Sequence, residues 1–223
     1  MKKLVSFLSW MVSFLIPVAL IFLGLRLLLT NTFVHLEYRM PGFPEDSYGF
    51  SREDRFKWSD MALQYLVNNS GREFLGDLTF NDGTAVFNDR ELDHMVDVKN
   101  VVKPVMVVGY STWILIIIIW LVSFKMKWMA EFKKGSWRGG WIMIGFLLVI
   151  GAFAIINFWD FFTYFHGLFF EGDSWLFFYS DTLIRLFPIR FWQDAFLSVG
   201  LITLFGSLLL IITMKPKHKG YGS

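Results

Sequence analysis

Histidine is the side chain best suited to moving a proton near neutral pH, and two of the four histidines here stand apart. His94 has Glu91 three residues before it and Asp97 three residues after it. On a helix that spacing puts both carboxylates on the imidazole's side, where one can fix its tautomer. His166 lies within Tyr164-Phe165-His166-Gly167-Leu168-Phe169-Phe170, an imidazole among rings, with a glycine beside it that permits close backbone approach. Two such residues can act as general base and general acid. Each can equally be a hydrogen-bonded interface histidine, and the residues alone leave both readings open. A third reading is a metal site. Asp93, His94, Asp97 and His166 offer a His/carboxylate set that zinc accepts, although no zinc-type spacing ties them together. His35, among Glu37 and Arg39, reads as a surface residue, as does His218 in a basic tail.

Arg26 and Asp160 are ionisable groups inside apolar runs. Such groups pair with one another or line a functional cavity, and an ion pair is the simpler reading. Asp181 and Arg185 are four apart and could pair on one helix. The usual signatures of membrane enzymes are missing: no HExxH, no GxSxG, no phosphate-binding loop, no Gly-rich dinucleotide turn. No cofactor is expected, so any chemistry must use ordinary side chains. Cysteine is absent, which excludes disulfides, thiolate catalysis and lipid attachment through cysteine.

The elements that must position these groups are mostly apolar. Of 223 residues, 55% are hydrophobic and only 18% charged, against about a quarter charged in a soluble domain. The chain reads as an α-helical membrane protein. Four runs can each cross about 30 Å of hydrocarbon. Transmembrane helix 1 falls within residues 1–30 and reads as an uncleaved signal anchor; the others are 101–124, 141–162 and 195–214. Residues 125–140 form a loop and 215–223 a tail. These two, with Lys2 and Lys3, hold ten basic residues and one acid, Glu131, so they are expected in the cytoplasm, as are both termini.

Residues 31–100 carry seven basic and thirteen acidic residues and are expected outside, as a small mixed α/β cap. Ser51 can cap a helix whose apolar face is Trp58, Met61, Ala62, Tyr65 and Leu66. Leu78-Thr79-Phe80 and Thr84-Ala85-Val86-Phe87 flank Asn81-Asp82-Gly83, a β-hairpin signal. Asn88 and Glu91 look like a capping box for a helix that carries His94 and could continue through Pro104 into the second span. Residues 163–194 form an aromatic interfacial segment, also expected outside. Fifteen of the 35 residues from 158 to 192 are aromatic, and titratable residues recur among them, which a plain aromatic belt does not explain.

Three elements then come together: Glu91-Leu92-Asp93-His94-Met95 leading through Asp97-Val98-Lys99 into the second span; Phe165-His166-Gly167-Leu168-Phe169-Phe170 followed by Trp175; and Asp181-Thr182-Leu183-Ile184 followed by Phe187-Pro188 and Phe191-Trp192. With four helices and an outer cap, they resemble the lipoprotein intramolecular transacylases of Gram-positive bacteria over essentially the whole chain. The resemblance implies a multi-pass cell-membrane acyltransferase with its site at the outer-leaflet interface. It implies transfer of the sn-2 acyl chain of a diacylglyceryl lipoprotein to the α-amine of its N-terminal cysteine, giving the lyso-form. His94 and His166 match the family's two catalytic histidines. Tyr164, Phe165, Phe169, Phe170 and Trp175, with Arg26 and Asp160, are the expected substrate-binding residues. The expected partners are the lipoprotein with its diacylglyceryl-cysteine and membrane lipid, with no nucleic acid. The competing expectation is a membrane-anchored extracellular binding module without activity, which would tolerate loss of the histidines.

Overall fold

A computed structural model describes residues 1–216; His218 and the rest of the tail from 217 on lie outside the described residues. The elements are helical: α1 (Lys2–Leu28), α2 (Asn31–Glu37), α3 (Arg52–Val67), α4 (Glu73–Gly76), α5 (Asp89–Lys125), α6 (Met129–Ile156), α7 (Phe158–Phe169), α8 (Thr182–Leu186) and α9 (Ile189–Thr213). Four of them, α1, α5, α6 and α9, are long and apolar enough to cross a membrane. The 37 residues of α5 rise about 55 Å, well beyond the roughly 30 Å hydrocarbon core. The apolar part of α5 begins at Val101, and the twelve residues before that, His94 among them, are mostly polar. The helix runs through Pro104 without interruption.

The chain forms two compact units. One comprises Met1–Leu25, Val107–Ile155 and the chain from Ser198. Its core holds Val12, Ile16, Ile119 and Phe132. Small residues let its backbones approach closely, as packing between membrane helices requires. A Cβ on Gly135 would lie 2.3 Å from the Ser9 carbonyl oxygen, so α6 meets α1 there only as glycine.

The second unit, Arg26–Met106 with Ile156–Leu197, carries both candidate histidines. Ser51 and Asp54 close a reciprocal capping box at the start of α3, and Trp58, Ala62, Tyr65 and Leu66 then bury one face of that helix. They pack with Leu75, Val86, Phe87, Leu92, Met95, Leu183 and Leu186 in one core. Arg185 pairs with Asp46, not with Asp181 four residues before it. Its Nη2 lies 2.9 Å from a carboxylate oxygen, and both side chains are largely buried.

The expected mixed α/β cap is corrected to a helical one. Among the described residues no strand forms, and the hairpin segment makes a single antiparallel bridge, Thr79 to Ala85. The turn itself is present: Gly83 takes φ +83°, and the Phe80 amide donates to the Thr84 carbonyl at 2.8 Å. The arms have nowhere to extend. Leu78 follows directly on α4, while Val86 and Phe87 are drawn into the helical core just before Asn88 opens α5. A two-stranded pair this short, with no third strand, has little stability of its own.

Candidate active site

Two helix starts place the histidines. The Asn88 amide donates to Glu91 Oε2 at 2.8 Å and the Glu91 amide donates to Asn88 Oδ1 at 3.0 Å, the reciprocal box expected at the head of α5. Oε1 of Glu91 accepts the Leu183 amide of α8 at 2.6 Å. One carboxylate therefore holds the first turns of two helices, and His94 follows a turn later. The start of α7 is capped by Asn157, whose side chain accepts from the Asp160 amide. His166 sits two turns on.

His166 Nδ1 lies 2.8 Å from the Phe162 carbonyl one turn before it. A carbonyl only accepts, so Nδ1 carries the proton, and in the neutral ring Nε2 keeps its lone pair. The ring is 7% exposed and walled by aromatics. Phe162 stands at 4.1 Å between centroids, Trp175 at 4.5 Å and 30°, Phe170 at 5.6 Å and Phe165 at 5.7 Å. The His94 ring lies 5.0 Å between centroids from that same Phe170 and 5.3 Å from Phe177. The two imidazoles, 72 residues apart in sequence, thus share one neighbour. Burial, with a smaller contribution from the charge of His166, lowers the pKa of His94 to about 4. Burial also lowers that of His166, against the Phe162 carbonyl, which favours its protonated form. Both rings are therefore held neutral near pH 7.

The carboxylates flanking His94 do not orient it. Those of Glu91 go to backbone amides, Asp97 is exposed, and His94 Nδ1 is buried with no hydrogen-bond partner. Asp93 is exposed and bonds Arg72. Among the described residues no three His, Asp or Glu side chains come together within reach of one ion.

Of the expected substrate-binding residues, Phe165, Phe170 and Trp175 pack on His166, and Phe170 also on His94. Phe169 is half exposed and packs on Phe165, one ring further out. Tyr164 is on the open face of α7, 68% exposed. Asp160 is exposed and serves the first turn of α7, taking the Asn157 side-chain amide at 2.8 Å. Arg26 is half-buried and donates to the Leu29 carbonyl at 3.4 Å. Three contributors were not visible in the sequence. Phe162 supplies a backbone carbonyl, which no residue type announces. Phe177 was one ring among fifteen. The bond from Glu91 to Leu183 spans 92 residues.

This geometry can be set beside known proteins. The chain is 31% identical over 226 residues to an uncharacterized protein of Aquifex aeolicus (strain VF5), each covered in full. It superposes on the in meso structure of the membrane integral lipoprotein intramolecular transacylase Lit from Bacillus cereus with a TM-score of 0.78, at 22% identity over 94% of each chain. A structure of that protein with a histidine-to-arginine substitution gives a TM-score of 0.71, at 23% identity over 96% of this chain and 90% of that one. At these identities the solved structures establish the shared fold. The model of the lipoprotein intramolecular transacylase Lit family matches residues 10–192. That match covers most of the chain and decides against an inactive anchored module: the chain belongs to the lipoprotein intramolecular transacylase family, and is a multi-pass membrane acyltransferase.

Proposed function

We propose that the protein moves the sn-2 acyl chain of a diacylglyceryl lipoprotein onto the α-amine of its N-terminal cysteine, with His166 as proton carrier and His94 as carbonyl stabiliser. The observation that carries the assignment is the tautomer of His166. With Nδ1–H donating to the Phe162 carbonyl, Nε2 is left as the base.

The amine nitrogen attacks the ester carbonyl of its own molecule through an eight-membered ring. A floppy lipid adopts that geometry rarely, and orientation alone can supply up to roughly 7–11 kcal/mol. Rigid rings such as Phe165, Phe170 and Trp175 suit that task, because they bury much area and have few rotamers. Nε2 of His166 takes the proton lost by the attacking nitrogen. As the carbon–oxygen ester bond breaks, the same imidazolium returns that proton to the departing glyceryl oxygen. A separate strong base is unnecessary, since an α-amine titrates near 7.7–8.0. His94, with its pKa near 4, is a poor base. As a neutral ring it can donate an N–H to the oxygen that becomes negative, and its buried, unpartnered Nδ1 is the kind of group that a substrate atom satisfies. The charge distribution of the chain supports placing this site at the outer leaflet, where the ester carbonyls lie.

The test uses purified protein, EDTA and a lipopeptide with a free amine and two different acyl chains, read by fragmentation mass spectrometry. A product of unchanged mass with the sn-2 chain on nitrogen is expected. His166→Ala should lose about 10²- to 10⁴-fold in rate. Undiminished conversion by a His94→Ala, His166→Ala double variant, or loss of one acyl mass, would refute the mechanism.

A further inference from the structure

Arg138 lies on α6, three residues before the apolar run that begins at Trp141, in the unit that does not carry the histidines. Its guanidinium is a built feature. Nε donates to Ser13 Oγ at 3.2 Å and Nη2 to Ser9 Oγ at 2.8 Å. Both hydroxyls are buried and turn their own protons elsewhere, Ser9 to the Glu131 carbonyl at 2.7 Å and Ser13 to the Ser9 carbonyl at 3.0 Å. They are therefore fixed as acceptors. The carbon of the guanidinium stands 3.8 Å over the Trp10 ring. The group is thus held at one place, with two of its five donors used by serines.

Among the described residues no carboxylate forms an ion pair with Arg138, and Glu131 acts on it only through space. An arginine at the edge of the hydrocarbon ordinarily pairs or marks a site. Beside it is an open pocket of about 430 Å³ lined by Trp10, Trp137, Arg138, Trp141 and Ile142. The lining is apolar apart from the guanidinium. Lys134, one turn earlier on α6, and Lys133 add positive charge nearby.

We infer that this pocket binds the headgroup of a phospholipid in the leaflet at the lysine-rich end of the bundle. The phosphodiester meets the free edge of the Arg138 guanidinium, and the glycerol and upper acyl carbons lie against the three tryptophans. A planar arginine fork matches phosphate geometry, and tryptophan favours the headgroup level. The bound lipid would also brace α1 against α6, since Ser9, Ser13 and Trp10 belong to one helix and Arg138 to the other.

Native mass spectrometry of the full chain released from detergent tests this, with dioleoyl phosphatidylglycerol, dioleoylglycerol and inorganic phosphate as probes. Phosphatidylglycerol should remain bound at activation energies that strip dioleoylglycerol. Arg138→Gln should weaken its binding roughly tenfold or more, the loss expected when charge-assisted hydrogen bonds disappear. Trp141→Ala, at a position half exposed and so compatible with folding, should weaken it several-fold while leaving the lipid-free melting temperature unchanged. Retention of dioleoylglycerol equal to that of phosphatidylglycerol would make the pocket an apolar groove and overturn the inference. Inorganic phosphate that displaces the lipid at equal concentration would make it a soluble-anion site and overturn it too. So would undiminished lipid binding in both variants.

Discussion

Replacing Glu91 by glutamine should change the sign of its effect on stability across the neutral range. The carboxyl group is 1% exposed. Burial raises its pKa from 4.5 to about 7, against the amides of Leu183, Asn88 and Thr182, which favour the charged form. That rise is worth about 3 kcal/mol. Below pH 4.5 the group is protonated whether the chain is folded or not. Between 4.5 and about 7 only the unfolded chain gives up the proton, so this group's stabilisation falls as pH rises and is gone above about 7. Glutamine does not titrate. Its Oε1 can still take one amide, but its Nε2 then meets the other backbone N–H donor to donor, costing about 1–2 kcal/mol. Glu91→Gln should therefore be less stable than wild type near pH 5 and more stable near pH 8. His94 and His166, both lowered by burial, and Glu37, raised by burial to about 7, add pH dependence of their own, but they do so in both proteins and cancel in the difference. Thermal unfolding in detergent, followed by tryptophan fluorescence, reads it out. The gap in melting temperature should swing by roughly 6–12 °C between the two pH values. Melting curves that stay parallel from pH 5 to pH 8.5 would refute the assignment of a buried, neutral Glu91.

Because burial favours the neutral form of both imidazoles, the initial rate of acyl transfer should rise with ionisation of the substrate amine, near 7.7–8.0, and then flatten; a profile governed by a group near 6.5 would show solvated histidines. Trp175→Ala removes the ring 4.5 Å from His166. It should move the His166 pKa up toward 6.5 in an NMR titration and lower kcat about tenfold, a fraction of a full base contribution, with little change in KM. Gly135→Ala drives a Cβ into the Ser9 backbone at 2.3 Å and should cost about 1–3 kcal/mol as a lower melting temperature. Gly145→Ala, on the same helix with nothing within 4 Å, should change stability by less than about 1 kcal/mol.

Much of the fold is legible in local chemistry. Long apolar runs make spanning helices because a backbone in hydrocarbon must satisfy its own hydrogen bonds. The caps at Ser51 and Asn88 could be read because a side chain and an amide three residues away meet whenever a helix begins. The hairpin misled for the same reason. Its turn was read correctly from Asn81-Asp82-Gly83, but strand pairing needs length and neighbours that the local pattern does not report. The expected bond between Asp181 and Arg185 failed because Asp46, 139 residues away, offered a buried partner.

By itself, then, the sequence determined four apolar runs long enough to span, a polar region between the first two, a capped helix start ahead of His94, and a second histidine, His166, among rings. Only the tertiary structure decided that His94 and His166 share Phe170, that Nδ1 of His166 is committed to the Phe162 carbonyl, and that Glu91 serves two helices instead of its neighbouring imidazole. Periodicity and capping act over three or four residues and leave a trace in any short window. Ring contacts, tautomers and desolvation depend on which distant segments exclude water from the same few ångströms, and that is a property of the packed chain.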